Sequence, residues 1–156
     1  MVTRLTVKEV LNQAISKEVE AQKLYSDLQR MMTSQIAKET FGGLVNEEKG
    51  HEDLLRKYLS GAMKQGALKT EQVIDYKIVE NFEPTEIFNN MPLKDIFLRA
   101  ANREKGAHDG YMALAEAHPA GEVKKLLEDL ARQELEHKHK LEFLFTEVAF
   151  PQTAGG

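Results

Sequence analysis

The stretches FGGLVNEEKGHEDLL (41–55) and LEDLARQELEHKHKL (127–141) carry one pattern twice, 86 residues apart. Phe41 and Leu127, Leu44 and Leu130, and Leu55 and Leu141 stand at the spacing that lines one face of an α-helix. In the middle of that apolar face sit Glu48-x-x-His51 and Glu134-x-x-His137. Thirty residues upstream of each pair is a lone glutamate, Glu18 and Glu104. These two share the same offset with Ala14 and Ala100, Ala21 and Ala107, and Tyr25 and Tyr111. A single Glu-x-x-His on a helix is usually a surface feature. Glu136-x-x-His139, two residues off the apolar face and with Gly50 and Asp53 as its offset mates, reads as solvated. Carboxylate, imidazole, phenol and apolar flanks repeating in one register instead mark two copies of a helical hairpin.

Four amphipathic helices follow. The first is expected from about Val7 to Met31, opened by a Thr6-x-x-Glu9 capping box. The second is expected from about Ser34 to Met63, with Gly42, Gly43 and Gly50 permitting close approach or bending. The third runs from about Leu93, behind Pro92, to Ala117, and the fourth from about Gly121 to Val148. Residues 149–156 form a tail expected to fray. The connections near Thr33 and Pro119 are short, so each hairpin is antiparallel. Residues 64–91 form a long connection with its own apolar run and an expected short helix near Pro84–Asn89. Spanning a helix of ~42 Å at ~3.3 Å per residue, it can recross the bundle or reach another subunit. The expected fold is all-α: a ferritin-like four-helix bundle of two hairpins joined by a long crossover.

The 156 residues are 42% hydrophobic and 29% charged, the balance of one globular domain. No apolar run reaches membrane-spanning length, and the opening MVTRLTVKEVLNQAI has no apolar signal core, so a cytoplasmic protein is expected. A net charge of −4 gives no reason to expect nucleic-acid binding. The absence of cysteine excludes thiol catalysis and any Cys-ligated iron or zinc within these residues.

Glutamate on an inward stripe is the anomaly. A buried ionised carboxylate costs several kcal/mol unless paired or metal-bound, and four would repel one another. Two divalent cations would neutralise Glu18, Glu48, Glu104 and Glu134, with the neutral imidazoles of His51 and His137 completing the ligand set. Tyr25 and Tyr111 lie two turns beyond the lone glutamates, where they either pack or hydrogen-bond a metal-bound carboxylate. His108 and His118 read as surface residues. Iron, manganese and zinc all accept such ligands.

AISKEVEAQKLY (14–25), EEKGH (47–51), AANREKGAHDGY (100–111) and ARQELEH (131–137) together resemble the rubrerythrin-type members of the ferritin-like superfamily. The likeness extends over roughly residues 5–148 and includes the linker stretch VIDYKIVENFEP. It implies a carboxylate-bridged di-iron centre that reduces hydrogen peroxide, with the six Glu and His residues as ligands. Two departures stand out. Without cysteine there is no rubredoxin-type iron in this sequence, so electrons must come from a separate, rubredoxin-like donor. The extra glutamate typical of rubrerythrins one turn after the third-helix ligand is here Ala107, which leaves a symmetrical four-Glu, two-His set closer to bacterioferritin-type centres.

The leading expectation is a di-iron oxidoreductase acting on peroxide or oxygen. The alternatives are ferrous-iron oxidation or metal storage without substrate turnover, and a bundle with structural metals. Each half supplies only one Glu and one Glu-x-x-His, and the linker is long, so a homodimer or larger homo-oligomer is expected, with hairpins exchanged between chains as one way to build it.

Overall fold

The computed structural model describes residues 4–63, 65–68, 70, 73–75 and 91–149. The elements are β1 (Arg4–Thr6), α1 (Val7–Met31), α2 (Gln35–Leu59), β2 (Val73–Asp75), α3 (Leu93–Ala117) and α4 (Glu122–Ala149). The four helices form the ferritin-like bundle read from the sequence.

Local chemistry fixes the helix ends. The Thr6 hydroxyl accepts from the Glu9 backbone N–H at 3.1 Å, and the Glu9 carboxylate accepts from the Thr6 N–H at 2.8 Å, which closes the capping box. Ser34 caps α2 by accepting from the Ala37 N–H. The second helix stops at Leu59, four residues short of the expected Met63. Gly61 adopts φ +81°, and the Ala62 N–H turns back to the Lys57 carbonyl at 3.1 Å, a left-handed termination that outcompetes continued helix.

The strand pairing is a second difference from the sequence reading. Arg4, Leu5 and Thr6 pair antiparallel with Asp75, Ile74 and Val73, and the Lys8 N–H donates to the Thr70 carbonyl at 2.8 Å. A three-residue ladder is too short for a period-of-two signal to be visible. It fastens the start of the long connection to the N-terminal end of α1. The connection then enters α3 through Met91 and Pro92 at the opposite end of the bundle, where Ile96 and Phe97 pack with Met32 and Ala37. So α2 and α3 run parallel, as a long crossover requires. The expected short helix near 84–89 and residues 150–156 of the tail lie outside the described residues.

Two apolar clusters fill the bundle. One joins Val7, Leu11 and Ala14 with Leu55, Tyr58, Leu114, Leu127 and Leu130. The other joins Ala21, Tyr25 and Leu28 with Phe41, Leu44, Phe97 and Leu141. In the second, Phe41 lies 5.8 Å from Tyr25 and 5.9 Å from Phe97, ring centre to ring centre, each contact adding about 0.5–1.5 kcal/mol beyond burial. Between the clusters lies a polar layer, rigidly framed on both sides.

Close approach decides two glycine sites. A Cβ on Gly42 would fall 2.5 Å from the Gln29 amide nitrogen, whereas Gly43 and Gly50 face open space. Gly66, at φ +71°, packs its backbone on Gly121 and so binds the loop after α2 to the α3–α4 turn. Among the described residues, no helix is long and apolar enough to cross a membrane.

Candidate metal centre

The polar layer consists of Glu18 from α1, Glu48 and His51 from α2, Glu104 from α3, and Glu134 and His137 from α4. None is more than 3% exposed. Each sits on the inward stripe of its helix, and the i, i+3 spacing stacks each histidine one turn from its glutamate. Glu18, Glu48, His51 and Glu134 form one group whose ligand atoms all lie within 4.8 Å of one another. Glu48, Glu104, Glu134 and His137 form a second. Glu48 and Glu134 belong to both, so they would be the bridging carboxylates of a metal pair, while Glu18 and Glu104 belong to one group each and would be terminal.

The internal repeat is visible as an approximate two-fold relation between the halves. His51 Nδ1 lies 2.6 Å from Glu134 Oε1 and 3.6 Å from Glu18 Oε1. His137 Nδ1 lies 2.7 Å from Glu48 Oε1 and 3.6 Å from Glu104 Oε2. The two imidazoles lie face to face with centres 5.8 Å apart. Despite these short distances, both Nδ1 atoms, Glu18 Oε2, Glu48 Oε1, Glu104 Oε2 and both Glu134 oxygens are buried without a hydrogen-bond partner. Buried polar atoms left unpaired cost about 1–3 kcal/mol each, more when charged. Seven of them converging from four helices fit a pair of divalent cations, which would satisfy lone pairs that no protein donor reaches.

The surrounding contacts orient these groups. The Tyr25 hydroxyl donates to Glu104 Oε1, and the Tyr111 hydroxyl donates to Glu18 Oε1 at 2.5 Å. Each tyrosine thus serves the terminal glutamate of the other half. Of the two readings the sequence left open, hydrogen bonding to a carboxylate is the one realised. The outer nitrogens are also held: His51 Nε2 meets Gln133 Oε1 at 2.9 Å, and His137 Nε2 meets the Glu47 carboxylate. With Nε2 donating outward, each Nδ1 keeps its lone pair toward the carboxylates.

The electrostatics separate the four carboxylates into two kinds. Burial, reinforced by the charges on Glu18 and Glu104, pushes Glu48 and Glu134 well above the usual carboxylate range. Burial also works against ionisation of Glu18 and Glu104, but their close neighbours outweigh it. Glu48, His51 and the Tyr111 hydroxyl hold Glu18 down, and Glu134, His137 and the Tyr25 hydroxyl hold Glu104 at about 2. Burial raises Tyr25 and Tyr111 far above the ordinary phenol value, so both remain donors.

Sequence reasoning brought the six residues together but missed others. Glu47 and Gln133 are themselves mates at the 86-residue offset, one position before the bridging glutamates. That register was the available signal. Arg103, largely buried, donates to the carbonyl of Lys17 beside the carboxylate layer, and Lys17 is its own mate at the 86-residue offset. His118 corrects the expectation of a surface residue. It is 3% exposed, with Nε2 at 2.5 Å from the Tyr58 hydroxyl and Nδ1 at 2.7 Å from the Leu114 carbonyl. The turn after α3 folds inward over Tyr58, and that long-range contact is invisible in the local sequence. His108, also expected at the surface, is half-buried against the Ala131 carbonyl at 2.8 Å. Glu136 and His139 are exposed as expected.

Comparison with known proteins agrees with this architecture. A ferritin-like diiron-carboxylate protein from Thermotoga maritima superimposes with a TM-score of 0.80 at 21% identity, covering 93% of this chain and 97% of the other. A protein from Pyrococcus furiosus superimposes with a TM-score of 0.73 at 24% identity, covering 96% and 94%. These likenesses concern the fold. None of the curated proteins matches the chain. The rubrerythrin family model matches residues 9–144, nearly the whole bundle and all six residues of the polar layer, and the chain belongs to the rubrerythrin family.

Proposed function

We propose that this protein is a dimetal carboxylate oxidoreductase that reduces hydrogen peroxide or oxygen with electrons from an external donor. The observation that carries this reading is the set of unpartnered Nδ1 and carboxylate atoms converging between two apolar clusters. Two irons held there would supply two electrons to an O–O bond. For peroxide the balance is one H₂O₂, two protons and two electrons giving two waters. The chain's own residues would set the geometry. Glu48 and Glu134 would be shared by the two ions, Glu18 and Glu104 would each hold one, and Tyr25 and Tyr111 orient Glu104 and Glu18 by hydrogen bonds. The apolar clusters exclude bulk water from the layer.

These 156 residues contain no cysteine to hold relay iron, so the electrons would reach the layer from outside them, as from a rubredoxin-like donor. We place the protein in the cytoplasm and as a homodimer or larger homo-oligomer. One chain supplies all six residues of the layer, so hairpin exchange is not needed to complete it. Ferrous-iron oxidation or storage is the second reading, favoured by Ala107 at the position where family members usually carry an added glutamate.

Iron-loaded, pre-reduced protein should consume about one peroxide per site and stop, because each site holds two electrons. A reduced rubredoxin-like donor should restore turnover. Sustained turnover without a donor contradicts the proposal. Ferric iron accumulating well beyond two atoms per chain replaces it with storage.

A further inference from the structure

The approximate two-fold relation of the centre is broken where the two histidines meet their outer partners. His137 Nε2 donates to the carboxylate of Glu47, and His51 Nε2 donates at 2.9 Å to the neutral amide oxygen of Gln133. The remaining ligand positions match, Glu for Glu and His for His. The tyrosine contacts match as well. We propose that Glu47 makes the two metal positions unequal, so that the position facing His137 binds a divalent cation more tightly and fills before the one facing His51. This inference rests on the dimetal reading of the layer but not on its reaction.

The physical basis is the hydrogen bond behind the ligand. A carboxylate accepting from Nε2–H pulls the proton outward and leaves more electron density on Nδ1, the atom facing the metal. It also adds a negative charge near the cation. An amide oxygen makes a weaker, uncharged bond and contributes no net charge. Loss of such an outer partner typically lowers metal affinity about 10–100-fold, which sets the scale expected between the two positions.

Two cations oppose the effect. Lys140 Nζ stands 3.8 Å from Glu47 Oε1, with both side chains more than 40% exposed. An exposed pair of that kind is worth about 0–1 kcal/mol and does not cancel a carboxylate in direct contact with the ligand. Arg103, largely buried beside the layer and next in sequence to Glu104, carries a positive charge that would disfavour a cation on the His137 side. Its nearest recorded acceptor is the Lys17 carbonyl rather than a ligand atom. The direct hydrogen bond from Glu47 is therefore expected to dominate, and the experiment separates the two.

Cobalt(II) added stepwise to the metal-free full-length protein can be followed by proton NMR. A histidine bound through Nδ1 gives a strongly shifted, exchangeable Nε2–H resonance. H51A and H137A assign the two resonances by their absence. In the native protein the His137 resonance should grow with the first equivalent and the His51 resonance with the second, with dissociation constants about tenfold or more apart. E47Q and, independently, Q133E should make the two resonances rise together. The double swap E47Q/Q133E should reverse their order. A merely structural role for Glu47 would not produce that reversal. The proposal is overturned if His51 fills first, if both rise together in the native protein, or if the swap leaves the order unchanged, the outcome expected were Arg103 in control. Failure of cobalt to enter at all overturns the dimetal reading along with it. An ordered filling in a protein that never consumes peroxide leaves this inference standing and removes only the proposed reaction.

Discussion

At the residue scale, the centre depends on donors aimed at carboxylates that water does not reach. Tyr111 illustrates this, since its hydroxyl is the donor recorded for Glu18 Oε1. Tyr111→Phe keeps the ring in its apolar cluster and removes only the donor. In metal-free protein it should cost about 1.5–3 kcal/mol, the range for a hydrogen bond to a charged group. Urea unfolding measures this, and a loss below about 0.5 kcal/mol would contradict the assigned bond. The six ligand candidates were legible because charge on an apolar stripe is costly and the repeat doubled every anomaly. Tyr25 and Tyr111 were only half legible. Helical spacing gives their face, but not that each reaches across the bundle to the glutamate of the other half. His118 was misread because its partner, Tyr58, lies 60 residues away.

At the element scale, the helices hold by caps at their starts and by packed loops at their ends. The loop after α2 is fixed by Gly66 resting on Gly121. A Cβ on Gly66 would meet Gly121 Cα at 3.1 Å and the Ala120 carbonyl oxygen at 3.2 Å, in a backbone conformation at φ +71° that L side chains disfavour. Gly66→Ala should therefore destabilise the protein by roughly 1–3 kcal/mol, combining left-handed strain with a contact that only backbone movement relieves. Chemical denaturation with an unchanged midpoint would show that the two loops are not rigidly packed. Helix starts were legible from Thr6 and Ser34, whose side chains bond three residues ahead, and from Pro92, whose ring fixes the backbone just before α3. The end of α2 was not, because Ser60 and Ala62 fit the helical pattern and Gly61 decided the outcome. The ladder of β1 with β2 was equally hidden, as three residues leave no periodic trace.

At the scale of the whole molecule, metal and pH act on one balance. Burial and neighbouring charge raise Glu48 and Glu134 above the ordinary value of 4.5, and contacts with Glu18 raise His51 above 6.5 despite its burial. A group raised in the folded state contributes stability that is fully present below its unfolded value and is lost as pH rises through its folded value. Metal-free protein should therefore melt at a lower temperature at pH 8 than at pH 6. Glu104, held at about 2, acts in the opposite sense, its contribution being lost as pH falls from 4.5 toward 2. Divalent cations would compete with protons for these side chains, so calorimetry should show a stabilisation by metal that grows between pH 6 and pH 8. A metal-free melting temperature independent of pH across that interval would contradict the buried carboxylate layer. The proposed homo-oligomer should sediment above the monomer mass at micromolar concentration, and a monomer alone would refute it. The crossover was legible from chain length alone, because hairpins whose second and third helices run parallel need a connection as long as the bundle.

The central claim is that two metal ions sit between Glu18, Glu48, His51, Glu104, Glu134 and His137. Anomalous diffraction from crystals of iron-loaded protein tests it most directly. The account predicts two peaks per chain, one beside each histidine Nδ1, with Glu48 and Glu134 touching both, and loss of at least one peak in the Glu48→Ala, His51→Ala double variant. Peaks elsewhere on the chain, no peak in this layer, or an unchanged pair in the double variant would contradict it.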